Sequence, residues 1–316
     1  MIISKGVGMS EADDNTKGLK VLRPGVRTTV QDLGRYGYAG HGLSQGGAMD
    51  LQAHCWANRL LDNPVNEPTL EVAIGMASFR AECDLMLAIT GADMQAELDG
   101  EPIGNWRSFS MKRGQTLKLK AAQKGLRAYL AVKSGFQAVP ILGSCSTVER
   151  NRLGSIVQEG DVLPAKACHH EAAACVPPRY VSNYPDAIEL RVMESYQAGQ
   201  FSADAMAKFY QEDYRVSSDS DRMGVRLEGG AVIPPSGGVI SEGIALGAIQ
   251  IPLDGQPIVL LNDRQTLGGY PKLGVIARVD LPRLCQARPA TRIRFVPVSI
   301  EQARLEWSEF CDYFSL

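Results

Sequence analysis

The sequence carries no strong excess of charge. Its 33 lysines and arginines nearly balance 35 aspartates and glutamates, leaving a formal net charge of −2, so no nucleic acid and no anionic membrane surface is called for as a partner. No apolar run approaches the ~18 residues of a membrane span, and the opening MIISKGVGMSEADDNTKG has no apolar stretch long enough for a signal peptide. A cytoplasmic location is expected. The seven cysteines (Cys55, Cys83, Cys145, Cys168, Cys175, Cys285 and Cys311) are odd in number and lack C-x-x-C spacing, which argues against a disulfide framework or zinc site and predicts reduced, mostly buried thiols. Also missing are a G-x-x-x-x-G-K-[ST] loop, a dinucleotide fingerprint after a strand, and H-E-x-x-H. If ATP is used, this chain does not hold it in a Walker loop.

What is present is an ordinary globular composition: 316 residues, 45% apolar and 22% charged, enough for one large or two medium domains. Residues 1–18 are polar and aperiodic and read as a disordered extension. Residues 164–185, PAKACHHEAAACVPPRYVSNYP, have linker composition and divide the chain into halves at 19–163 and 186–316. His169-His170 reads as solvated linker, because Glu171 has no partner ligands at useful spacing, and no metal site is expected.

In the first half, short alternating segments (Leu70–Ile74, Ser78–Arg80, Leu85–Thr90, Met94–Leu98, Thr116–Lys120, Leu126–Val132) are punctuated by Gly91, Gly100, Gly114 and Gly125, the spacing of antiparallel β-structure in a barrel or sandwich. Met49, Ala53, Trp56 and Leu60 recur at helical spacing. In the second half, strands are expected at Ile188–Val192, Arg215–Ser217, Arg226–Glu228, Val232–Ile233, Gly238–Ile240, Val275–Val279 and Arg292–Val296. Ser202 caps a helix with Met206, Phe209 and Tyr210 inward. A last helix begins at Ser299 with Gln302 three residues on, a capping-box arrangement, and Ile300, Ala303, Trp307, Phe310 and Phe314 form its stripe.

The chemistry concentrates at Ile249–Lys272, IQIPLDGQPIVLLNDRQTLGGYPK. Ala248–Ile251 and Ile258–Leu261 read as two strands joined by a Pro-Leu-Asp-Gly-Gln-Pro turn. Where the second strand ends, Asn262, Asp263, Arg264, Gln265 and Thr266 crowd together before a glycine turn. With Arg222, Glu242, Gln250, Tyr270 and Lys272 they make an inventory suited to amide chemistry. Arginine or lysine clamps a carboxylate or phosphate, a carboxylate takes a proton from water, and glutamine or tyrosine stabilises an amide oxygen. Each could equally be an exposed strand-end group or part of a satisfied network. Gln31, Asp32 and Arg35 form either a turn held by an aspartate and a local ion pair or the lining of a pocket. Gly143-Ser144-Cys145-Ser146-Thr147 is a plain turn or an anion-binding loop. Gly42-Leu43-Ser44-Gln45-Gly46 fits G-x-S-x-G but lacks the preceding buried strand, and neither His41 nor His54 can be tied to it. Met111-Lys112 has the wrong flanks for a biotin carrier, so no covalent biotin is expected.

From about Leu19 onward the chain resembles the family called allophanate hydrolase subunit 2, also known as biotin-dependent carboxyltransferase-like or as the C subunit of the ATP-dependent 5-oxoprolinase. The resemblance rests on Ser220–Gly224 (SDRMG), Ser241–Gly243 (SEG), TTVQDLGR around Asp32, the GS-x-ST loop and the Ile249–Lys272 stretch. It implies a mainly β fold of two cyclophilin-like β-barrel halves with a few short helices. It implies a non-autonomous enzyme subunit, working with a sister subunit of the allophanate hydrolase subunit 1 type and a third 5-oxoprolinase subunit on a small-molecule amide, with ATP used by the complex. Converting the lactam oxygen of 5-oxoproline to a phosphate ester would create a good leaving group. On this expectation Arg222 or Lys272 holds the substrate carboxylate or that oxygen, Asp263 or Glu242 activates water, and Gln31, Asp32, Arg35, Gln250, Gln265 and Tyr270 bind substrate. Other branches imply carboxyl transfer to urea-derived amides or a regulatory role through a protein-binding face.

Overall fold

The computed structural model describes residues 17–168, 172–235 and 239–316. Two compact units divide the chain: the described residues up to Arg35 with Gly46–Asn183, and Tyr36–Gln45 with Tyr184–Leu316. The expected extension at 1–18 lies outside the described residues through residue 16. Gly18 already pairs with Pro164.

The first unit contains β1 (Gly18–Pro24), β2 (Arg27–Gln31), β3 (Thr69–Ala73), β4 (Ala77–Ala81), β5 (Leu85–Asp93), β6 (Glu97–Leu98), β7 (Glu101–Pro102), β8 (Arg107–Met111), β9 (Thr116–Leu119), β10 (Lys124–Val132), β11 (Val162–Pro164) and helix α1 (Leu51–Arg59). These strands form two antiparallel sheets, ordered β11-β1-β4-β9-β6-β7 and β2-β3-β10-β5-β8. Alternation puts Leu19, Val21, Phe79, Leu87 and Leu130 into one shared core. Asp50 caps α1 by accepting the Ala53 amide at 2.9 Å. Between β3 and β4, Gly75 has φ of 97°, and a Cβ there would lie 2.0 Å from the Lys120 carbonyl oxygen, so the turn admits only glycine.

The segment with linker composition is held by backbone pairing. Ala165 bridges Phe136, Cys175 bridges Arg107, and the Ser108 amide donates to Ala174 O at 2.8 Å. His169, His170 and Glu171 lie outside the described residues. The strand expected at Met94–Leu98 is only Glu97–Leu98, because Gln95 turns with positive φ.

The second unit contains β12 (Ala187–Glu194), β13 (Tyr214–Val216), β14 (Gly224–Glu228), β15 (Glu242–Gly243), β16 (Ala248–Gln250), β17 (Ile258–Leu260), β18 (Leu267–Gly268), β19 (Lys272–Ile276) and β20 (Arg292–Pro297), with helices α2 (Ala203–Gln211), α3 (Leu281–Cys285) and α4 (Ile300–Phe314). Seven strands close a barrel in the order β12-β19-β16-β17-β14-β13-β20, and β15 pairs with β18. Phe209 of α2 stacks on Phe295 of β20, with centroids 4.5 Å apart. The mainly β fold thus holds, with closure seen in the second unit and two sheets in the first.

Three local expectations differ. Val232–Ile233 forms no strand and Ile233 is exposed. Gly238 lies outside the described residues, and 239–240 are not in a strand. Ser299 does cap α4, accepting the Gln302 amide at 3.1 Å, but the Gln302 side chain donates forward to Glu306 at 2.7 Å. Ile300 is exposed at the first turn, and burial begins at Ala303.

Candidate functional site

In the second unit, β16 and β17 form the expected hairpin, with Ile249 opposite Val259. The SDRMG turn enters β14 through Asp221, whose Oδ1 accepts the amides of Met223 at 2.7 Å and Gly224 at 3.2 Å, an Asx arrangement that aims the intervening Arg222. Arg222 Nε donates to Asp263 Oδ2 at 2.9 Å and Nη2 to Oδ1 at 3.0 Å. Both side chains are buried. Ser44 Oγ, also buried, donates to the carbonyls of Arg264 at 2.7 Å and Asp263 at 3.3 Å. It therefore anchors its loop to the turn after β17, and the short helix Ala39–His41 before it confirms that no buried strand presents this serine.

A second ion pair forms elsewhere on the barrel. Lys272 Nζ lies 2.5 Å from Glu242 Oε1; the lysine is buried and the carboxylate is about a third exposed, at 35%. Gln197 organises the pair. Its Oε1 accepts the Lys272 amide at 2.8 Å, and its Nε2 donates to Glu242 Oε1 at 2.9 Å and to the Tyr196 hydroxyl at 2.8 Å. The Tyr196 hydroxyl in turn donates to Glu242 Oε2, and Ser195 Oγ donates to the Lys272 carbonyl. Hydrogen bonds from Lys272 and Tyr196 hold the Glu242 carboxyl below the usual glutamate range, and the same contact raises the Tyr196 phenol.

Gln250 is the register partner of Lys272 across β16 and β19. It shares a strand face with Ala248, which packs on Ile244 and Leu260. Its Nε2 is buried and has no hydrogen-bond partner among the described residues. Register also separates the two ion pairs. Gly224 faces Leu260 at one end of β17, whereas Gln250 faces Ile258 at the other. Arg222 and Asp263 follow the first end and Lys272 lies level with the second, so the residues grouped in the sequence form two ion pairs. Gln265 is half-buried and Tyr270 exposed on the crossing segment between them. Arg264 donates to Ile244 O at 3.0 Å and Leu261 O at 3.2 Å. Burial, with the like charge of Arg278, lowers its guanidinium to about 10.

In the first unit, Gln31, Asp32 and Arg35 come together around the GSCST loop. Asp32 Oδ1 accepts from the Gly34 amide at 2.8 Å, from Ser144 Oγ at 2.7 Å and from Ser146 Oγ, while Oδ2 accepts the Cys145 amide at 2.6 Å. Arg35 donates to Ile141 O at 2.8 Å and Ser144 O at 3.0 Å, and Gln31 Nε2 donates to Thr147 O at 3.1 Å. These contacts build a loop brace in which Asp32 gathers hydroxyl and amide donors and Arg35 reaches backbone carbonyls. Burial beside Asp32 pushes the Cys145 thiol up to about 11. His54 is fully buried between Thr69 Oγ1 at 3.0 Å and Val65 O at 2.9 Å, and burial lowers it to about 4. It is a neutral structural histidine. Tyr196 and Gln197 were missed in the sequence because nothing local in ESYQAG marks them; only the register of β12 with β19 carries the following turn to Lys272.

A family model described as carboxyltransferase domain, subdomain A and B, matches residues 41–297. The chain belongs to this carboxyltransferase family. It is 36% identical over 290 residues to the 5-oxoprolinase C subunit of Escherichia coli, covering 90% of this chain and 93% of that protein. Against the urea amidolyase of Saccharomyces cerevisiae it is 29% identical, covering 90% of this chain but 17% of that protein. The crystal structure of TTHA0988 superposes with a TM-score of 0.83 at 35% identity, over 92% of this chain and 58% of that one. The urea amidolyase structure from K. lactis gives 0.84 at 27%, over 96% and 20%. Among the described residues no helix is long and apolar enough to cross a membrane.

Proposed function

We propose that the chain is the C subunit of an ATP-dependent 5-oxoprolinase complex that opens the lactam of 5-oxoproline to glutamate. The observation that carries this reading is coverage: the match to the 5-oxoprolinase C subunit spans nine-tenths of both proteins, whereas the urea amidolyase match spans 17% of that enzyme. The working partners in this reading are the sister subunit and the third 5-oxoprolinase subunit. The Glu242–Lys272 pair is the candidate reaction site. Net lactam opening breaks the C–N bond, adds the hydroxyl of water to the carbonyl carbon and leaves a protonated nitrogen. Glu242, ionised and partly exposed, is placed to take the proton from water. Lys272 supplies a fixed positive charge for the oxygen on which negative charge develops. Arg222 and Asp263 serve by positioning, since the Asp263 carboxylate is buried where that of Glu242 is partly exposed.

ATP does not fit these residues. A single ammonium already facing a carboxylate offers no cradle for a triphosphate, so nucleotide binding falls to a companion subunit and no step here runs through it. The test measures glutamate and ADP released from 5-oxoproline plus ATP, with this chain alone and then with both companions. Turnover only in the mixture supports the reading; a folded, co-purifying complex without turnover refutes it. The family model favours a second reading, carboxyl transfer from biotin on another protein to a urea-derived amide, which avidin would inhibit.

A further inference from the structure

At the Leu260 end of β17 two arginines come together, and among the described residues no carboxylate is paired with either. Arg264 lays its guanidinium on backbone, Nε donating to Ile244 O at 3.0 Å and Nη1 to Leu261 O at 3.2 Å. The same backbone leads to Arg278. Gly247 donates its amide to Leu260 O at 2.7 Å and accepts the Ile276 amide at 2.9 Å, and Arg278 follows in the short helix Arg278–Asp280. There its guanidinium lies over the Trp307 ring, 4.9 Å from the centroid. The two charges feel each other, since Arg278 lowers the guanidinium of Arg264. The carboxylates beside them in sequence are engaged elsewhere: Asp263 by Arg222 at 2.9 Å, Asp280 by Arg191 at 2.9 Å and Arg283 at 2.7 Å, and Glu306 by Arg191 at 2.6 Å. Arg264 Nη2 and the Arg278 guanidinium make no hydrogen bond among the described residues. Both side chains are half-buried, and none of those free N–H groups is shut off from solvent. Tyr36, 60% exposed, is the other titratable group that acts on Arg264.

We propose that Arg264 and Arg278 form a binding site for a phosphate dianion, free or as the phosphoryl group of a small molecule, with Tyr36 at its edge. Two guanidiniums held together without a counter-ion repel each other, and partial burial removes some of the water that would screen them. An anion between them relieves both effects. Arginine matches phosphate oxygens through its fixed fork of N–H groups. The fork of Arg264 is oriented by its two carbonyl contacts so that Nη2 is offered, and the Trp307 face holds Arg278 flat. A tetrahedral dianion has acceptors for both arginines at once and two charges to balance theirs, whereas a carboxylate balances only one. No step of lactam opening is assigned to these residues, and the site stands whether or not the chain is a 5-oxoprolinase subunit.

The test titrates inorganic phosphate into the full chain by calorimetry, at constant ionic strength and on the alkaline side of neutrality so that the dianion predominates. The expected result is saturable binding, weaker by about tenfold or more for acetate and in Arg264→Gln and Arg278→Gln. Arg278→Gln leaves the backbone contacts of Arg264 in place, so it reports on binding even if Arg264→Gln fails to fold. Replacing Arg23, an exposed arginine of the first unit, by glutamine leaves binding unchanged. Phenyl phosphate separates the two sources. Binding as tight as that of inorganic phosphate assigns the site to a phosphorylated small molecule, and loss of binding restricts it to free phosphate; either result upholds the proposal. Absence of saturable binding, acetate binding as tightly as phosphate, or wild-type affinity in Arg278→Gln overturns it. An equal loss in Arg23→Gln also overturns it, because the effect would then be one of net charge alone.

Discussion

Arg222 and Asp263 meet through two hydrogen bonds, Nε to Oδ2 at 2.9 Å and Nη2 to Oδ1 at 3.0 Å, with both side chains buried. Such a pair is worth little against an apolar replacement, but removing one partner strands the other charge away from water. Asp263→Asn is expected to destabilise the second unit by about 3–5 kcal/mol, measured as a lower denaturant midpoint. An unchanged midpoint would return Asp263 to the list of chemically active carboxylates.

Glu242 should combine the two kinds of effect. Glu242→Gln strands the buried Lys272 ammonium and so lowers the denaturant midpoint, and it lowers turnover of the reconstituted complex by roughly 10²- to 10⁴-fold. Initial rates together with circular dichroism separate the two effects.

The acid limb of activity follows from the same contacts. Hydrogen bonds from Lys272 and Tyr196 hold Glu242 ionised to lower pH than a free glutamate. Tyr196→Phe removes one donor, so the Glu242 pKa rises and the acid limb of kcat/KM moves to higher pH. A limb at the same pH in both proteins would show that another group titrates.

His54 makes stability acid-sensitive. It titrates near 4 in the fold, against 6.5 when unfolded, because burial disfavours the charged ring. Below 6.5 the unfolded chain binds the proton first, so stability falls as pH drops and rises with pH across that window. The loss attributable to this residue between pH 7 and pH 4 is on the order of 3 kcal/mol. His54→Gln should flatten that dependence in denaturant titrations at the two pH values.

Asp32 gathers four donors from Gly34, Ser144, Cys145 and Ser146. Asp32→Ala should cost about 2–4 kcal/mol and accelerate hydrogen exchange of the Cys145 amide. Exchange at the wild-type rate would mean that the GSCST loop is held by something other than this carboxylate.

Much of this architecture was legible in the sequence, because alternation and capping are local. The β16–β17 hairpin, the Ser202 and Ser299 caps and α1 all follow from spacing alone. β8 did not, since only Phe109 and Met111 supply its apolar face and the burial of Ser108 comes from partners distant in sequence. The candidate site was legible as an inventory, not as an arrangement. Residue types flagged Glu242, Lys272, Arg222 and Asp263 together, but register across β16, β17 and β19 decides that Lys272 meets Glu242 and Arg222 meets Asp263. Gln197 touches three of the site's groups and is invisible without that register.

The barrel of the second unit is zipped by its first and last strands. β12 and β20 run parallel, from Ala187 opposite Arg292 to Val192 opposite Pro297, a pairing that spans about a hundred positions of chain and must wait for a costly loop closure. Until β20 is synthesised, β12 and β13 present raw edges to any passing strand. A chain that lacks β20 is thus at its most adhesive, and its yield in a cell should depend on chaperone capacity more than on the strength of any single contact.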